Sequence, residues 1–290
     1  MEIVYHLGAH CTDEERLLKC LLRNRELLTR QGIAVPGPAR YRNLLRDTAI
    51  QLKGQTASAE TQAMVLEQIL QSDTPRRMVL SWENFLSFPQ WVLKGTLYHA
   101  AAERVRAFQQ IFPDHRAEFH IGIRNLAGFL PALFARQKDR SYDEFLGALD
   151  TGELYWSDVI DRVREENPDV PLTVWCDEDT PLIWPDVLQA VSGHDPDTAL
   201  EGADDLLAML LSRDGLARMR AYLASRPPGS AIQRRQIAAA FLDKYVLPGA
   251  NRAPADLPGW TQDSVDALTE AYYQDVARIA ARSDITFLAP

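Results

Sequence analysis

Seven consecutive residues near the start of the chain, His6-Leu7-Gly8-Ala9-His10-Cys11-Thr12, gather two imidazoles, a thiol and a hydroxyl around one glycine. Imidazole and thiolate suit zinc, but these side chains straddle a turn and no fourth ligand lies near them in sequence, so ordinary hydrogen bonds account for the histidines better. Two other segments place chemistry at strand ends. In Val79-Leu80-Ser81-Trp82-Glu83-Asn84 a carboxylate closes an apolar run, and the carboxyl end of a parallel strand is where open α/β sheets bind ligands. Glu83 is therefore the candidate general base for an acceptor hydroxyl, against the plainer reading of a solvated or salt-bridged side chain. Glu118 to Ile123 reads as a strand ending at Arg124, whose guanidinium suits a bidentate grip on phosphate or a pairing with a nearby carboxylate.

The opening turn, the leucine-rich helix after it with Asn24-Arg25, and then Gly32-Ile33 resemble the first motif of bacterial sulfotransferases, a P-loop-type family. The likeness covers about forty residues in the first motif, within which strand, turn and helix fit in about thirty residues, the dimensions of half a βαβ unit. Segments 79–84 and 118–137 resemble that family's later motifs. The resemblance implies a donor, 3′-phosphoadenosine 5′-phosphosulfate, whose 5′ end is wrapped by the turn, with Gly8, Ala9, Cys11, Thr12 and Ser81 facing it. By the same resemblance Arg124 holds the 3′-phosphate, and Glu83 and His10 serve the chemistry. The implied activity is transfer of a sulfuryl group to an acceptor hydroxyl, with no metal. Arg40, Arg42 and Arg46, with Tyr41, form a basic loop where members of the family contact the acceptor; a solvated face is the bland alternative.

The turn departs from that pattern at the positions that grip. Cys11 stands where the family has lysine, Asp13 where it has glycine, and Glu14 and Glu15 where it has hydroxyls; Ala132 replaces a serine eight residues after Arg124. Carboxylates in a first helical turn compete with an incoming phosphate, each at a cost of about 1–4 kcal/mol in contact. The same residues also make a self-sufficient helix start, with Thr12 as N-cap and Glu15 three residues on as in a capping box. Two function classes follow: a sulfotransferase with an altered donor pose, or a non-catalytic binding or regulatory protein that keeps the fold.

The elements needed to hold these residues alternate. Strands are predicted over 2–7, 78–82, 118–123 and 171–176. Helices are predicted from Leu17 to Arg30, from Ala59 to Gln71, around Trp91 to Ile111, through Phe129 to Arg136, near Asp158 to Glu165 and near Pro185 to Val191. Residues 33–55 read as an irregular loop with short helical pieces. Such alternation specifies a three-layer α/β sandwich with a mainly parallel sheet. From about 199 to 290 the chain turns helical, at 203–211, 215–225, 231–245 and 264–282, with a loop from Pro248 to Gly259, Trp260-Thr261 as packing anchor and N-cap, and a short strand at 285–288. This is read as a helical elaboration of one domain spanning 1–290, with a small separate helical subdomain as the alternative.

Composition bounds the partners. With 46% hydrophobic and 24% charged residues the chain can bury a sizeable core. A net charge of −9 argues against non-specific binding to nucleic acid or anionic membrane, since both need a positive field. The absence of a leader pattern and of long apolar runs, with three cysteines (Cys11, Cys20, Cys176) matching no disulfide or zinc spacing, reads as a cytoplasmic protein with free thiols.

Overall fold

The computed structural model describes residues 1–70, 74–137, 140–248 and 257–290. The helix end predicted at Gln71 and most of the loop predicted from Pro248 to Gly259 lie outside them.

Among the described residues six strands form one all-parallel sheet: β1 Glu2–His6, β2 Ile33–Ala34, β3 Arg77–Ser81, β4 Arg116–Ile123, β5 Leu172–Cys176 and β6 Thr286–Leu288, in the order β2-β3-β1-β4-β5-β6. The helices are α1 Arg16–Arg23, α2 Arg25–Arg30, α3 Arg42–Leu52, α4 Ala59–Leu70, α5 Ala101–Gln109, α6 Leu126–Phe134, α7 Tyr142–Leu146, α8 Trp156–Glu166, α9 Thr180–Ser192, α10 Asp205–Leu210, α11 Arg213–Ser225, α12 Ala231–Tyr245 and α13 Gln262–Ala280.

The strands are near-continuous apolar runs because both faces are covered. Alternate residues feed two cores. Ile3, Tyr5, Leu80, Phe119 and Ile121 pack beneath residues of α5, α6, α8 and α13. Val4, Val79 and Trp175 pack beneath leucines of α1 and the apolar face of α9. The result is a three-layer α/β sandwich. A smaller cluster, Leu207, Leu211, Met219 and Ala238, joins α10, α11 and α12 into a helical appendage, with Leu182 of α9 packed against both it and the second core.

Several local expectations are corrected. The first helix is broken at Asn24, whose side-chain amide donates to the carbonyls of Cys20 and Glu201 and so ties the break to the chain before α10. Residues 33–55 are more ordered than a loop: β2 adds to the sheet, and α3 follows. The helix expected from Trp91 starts only at Ala101, after a turn closed by a bridge between Leu93 and Leu97. Thr12 is not an N-cap. Its hydroxyl donates to the Ala9 carbonyl, α1 begins at Arg16, and Asp13 does the capping, accepting from the N–H groups of Glu15 (3.3 Å) and Leu17 (2.9 Å). Glu15 makes no capping bond; its carboxylate turns to Arg42 instead. Thr261 does cap α13, in a reciprocal box with Ser264.

Candidate functional site

The connection after β1 runs to β2 on one side, while that after β4 runs to β5 on the other. The strand order therefore switches direction between β1 and β4, and the crevice above their carboxyl ends is where such sheets place ligands. The turn 7–15 rises from β1 into this crevice, and Arg124 closes β4 beside it.

Backbone pairing locks the turn in place. Leu7 donates to the His120 carbonyl, Ala9 to that of Gly122, and Gly122 back to that of Gly8, so β4 holds the chain three residues past the end of β1. Gly8 has φ +101°, and a Cβ there would lie 3.1 Å from the Cβ of Glu83, so only glycine lets the turn pass this close to the end of β3. Gly122 is required for a similar reason: a Cβ would meet the Trp175 indole at 3.0 Å.

His10 is fully buried. Its Nδ1 lies 2.7 Å from the Tyr98 hydroxyl and its Nε2 3.1 Å from the Asn84 carbonyl oxygen, while its own N–H donates to Tyr98. Burial lowers its affinity for a proton, leaving a neutral ring with both nitrogens engaged. The Cys11 thiol, also buried, is pushed up to about 11, with Arg136 and Arg124 only partly opposing burial. It is a neutral thiol where the resemblance has a cation.

The charged groups pair with one another. Arg136, just past α6, grips both oxygens of Glu83 at 2.9 and 3.0 Å. Arg42 bridges Glu15 (2.6 Å) and the Ser81 carbonyl (3.0 Å). Arg16 holds Glu14 at 3.0 Å. Arg124 donates to the Cys11 carbonyl and comes within 3.9 Å of Asp177. Tyr41, predicted in a basic loop, is instead buried, its hydroxyl bonding both the N–H and the carbonyl of Ser81.

Beneath the turn lies a buried polar layer on the α1/α9 face of the sheet. The Ser81 hydroxyl sits 2.8 Å from His6 Nδ1, and the His6 ring stacks on Trp175. One strand over, His120 Nε2 meets Glu118 at 2.9 Å, and Arg77 pairs with both Glu118 and Glu2. A cavity of 170 Å³ opens between these layers, lined by His6, Gly8, Asp13, Arg42, Ser81 and Glu83 among others. Among the described residues, no group of three or more His, Cys, Asp or Glu side chains is placed to hold a metal ion.

Gly8, Ala9, His10, Cys11, Thr12, Ser81, Glu83 and Arg124 thus converge on one crevice. Sequence reasoning missed four residues that shape it. Arg136 ends a predicted helix, Tyr98 falls within another and Asn84 closes the 79–84 segment, but nothing in those patterns names their partners, and only the fold brings them in. Asp177 carried the signal used for Glu83, a carboxylate directly after a buried strand, and was overlooked. No family model, curated protein or solved structure matches the chain.

Proposed function

We propose that this is a sulfotransferase-like protein of P-loop type that has lost donor binding and acts as a non-catalytic binding or regulatory protein. The observation that carries this reading is that the crevice's cations are already engaged: each arginine facing the turn holds a protein carboxylate or carbonyl. The nucleotide donor does not fit these residues. Its phosphosulfate would meet Asp13, Glu14 and Glu15 in place of a glycine and hydroxyls, a neutral Cys11 in place of a lysine, and an Arg124 committed to the Cys11 carbonyl. Displacing the Glu83–Arg136 pair to free a base would leave an unpaired carboxylate beside the incoming anion, which Coulomb repulsion disfavours.

One observation favours the second reading, an anion held in another pose. Among the described residues, no acceptor meets the backbone N–H groups of Cys11, Thr12, Asp13 or Glu14, although Cys11 and Thr12 are buried. Unpaired N–H groups in a turn before a helix are suited to one small anion.

Calorimetry and thermal shift with adenosine 3′,5′-bisphosphate decide between them. We expect no heat and no rise in Tm at millimolar ligand, and gain of binding in the double variant Cys11→Lys, Asp13→Gly. A wild-type rise in Tm that scales with ligand concentration refutes the loss of donor binding.

A further inference from the structure

Charge is distributed unevenly along the chain. Residues 213–245, which form α11, α12 and their joining turn, hold seven arginines and lysines against two aspartates, a net +5; the rest of the chain therefore carries −14 of the total −9. A basic helical hairpin thus projects from an acidic body.

Part of that positive charge is neutralised internally, with Arg218 on Asp214, Arg220 and Arg234 on Asp204, and Arg235 near Asp186. Arg213, Arg226 and Lys244 are exposed and, among the described residues, meet no carboxylate. Arg226 lies over the Tyr222 ring and Lys244 over that of Tyr245, which leaves their charges facing outward on aromatic supports. Tyr222 and Ile232 are themselves exposed beside the turn of the hairpin.

A complementary surface exists on the same molecule. Along α13, Asp263, Asp266, Glu270 and Tyr273 are all exposed, at the three- and four-residue spacing that lines one helix face. Asp266 and Glu270 bond only to the neutral amides of Gln262 and Gln274, and Asp263 meets no cation among the described residues. The 13 residues of α11 span about 20 Å and the stripe from Asp263 to Tyr273 about 15 Å, so the hairpin and the acidic stripe match in length.

We propose that the protein self-associates, the basic hairpin of one copy docking on the acidic face of α13 of a second. A two-fold axis makes the contact twice, each hairpin resting on the other copy's α13. This inference stands apart from the cleft reading and is tested without any ligand.

Sedimentation velocity on the full chain tests it. The wild type is expected to dimerise at low ionic strength and to dissociate with salt, as the screening length falls from about 30 Å at 0.01 M to about 3 Å at 1 M. The variant R213E/R226E/K244E, and separately D263R/D266R/E270R, should each weaken association by about a hundredfold. Mixing the two variants should restore a mixed dimer, because both contacts are then complementary again, and its formation also shows that both variants are folded. A wild type that stays monomeric at low salt, an association indifferent to salt, or a mixture that fails to recombine overturns the proposal.

Discussion

Asp177 provides a measurable handle on the crevice. It follows β5 directly, its side chain is 22% exposed, and Arg124 stops 3.9 Å away, too far for a close pair. Burial dominates, pushing its pKa up from 3.8 to about 7, with Arg124 pulling down and Glu178 and Asp13 pushing up further. A carboxyl whose folded pKa is raised favours the protonated fold, so its contribution is intact below about 3.8 and is lost as pH rises to about 7. At 1.36 kcal/mol per pH unit, ionised Asp177 costs the fold about 4 kcal/mol above pH 7. Asp177→Asn keeps the shape and removes that cost. At pH 8 the variant should be more stable by up to about 4 kcal/mol, or about 8 °C in Tm for a chain of this size, while near pH 4 the two proteins should melt nearly together. Differential scanning calorimetry of both proteins across this range reads the difference directly. An equal Tm difference at both pH values refutes burial as the source of the shift.

The opposite slope is expected at Glu118. Burial works against its charge, but hydrogen bonds and charge from His120 and Arg77 prevail and hold the carboxyl at about 2. Its stabilisation is present above the ordinary value of 4.5 and fades as pH falls towards 2, so Glu118→Gln should lose at most about 3 kcal/mol at pH 7 in urea titrations and no more than about 1 kcal/mol near pH 2.5. In the hairpin, a Cβ at Gly215 would lie 2.3 Å from the Cβ of Tyr245, so Gly215→Ala should cost about 1–3 kcal/mol, read as a fall in Tm. Because Tyr245 also supports Lys244, the same variant should weaken salt-sensitive self-association.

The layers and the strand sequence were legible because the chemistry that makes them is local. Ile3-Val4-Tyr5 and Val79-Leu80 are buried on both faces and therefore apolar throughout, whatever their neighbours are. The two-residue strand β2 was not legible, since two residues carry no period and its place comes from pairing with Arg77 and Met78. The capping residue of α1 was misjudged for a related reason: Thr12 and Asp13 are both good caps, and only the fold of the turn, with Cys11, Glu14 and Glu15 at positive φ, decides which side chain reaches the free N–H groups.

The candidate site divides along the same line. Residues one or two steps beyond a strand, such as Arg124, Glu83 and Gly8, announce themselves because strand ends point into the crevice by geometry. What they do there depends on partners that sequence does not bring near. Glu83 reads as a base only while Arg136 is taken to lie elsewhere, and 53 residues separate the two. Once that pair forms, Arg136 holds Glu83, Arg42 holds Glu15 and Arg16 holds Glu14, while Asp13 is taken up by the helix N–H groups and Arg124 by the Cys11 carbonyl. Under the proposed reading, such a cleft keeps the position of a phosphate site at a strand-order switch while weakening the field that would draw a phosphate in. Restoring that field requires both a new cation and fewer carboxylates, which is why the test of donor binding pairs Cys11→Lys with Asp13→Gly.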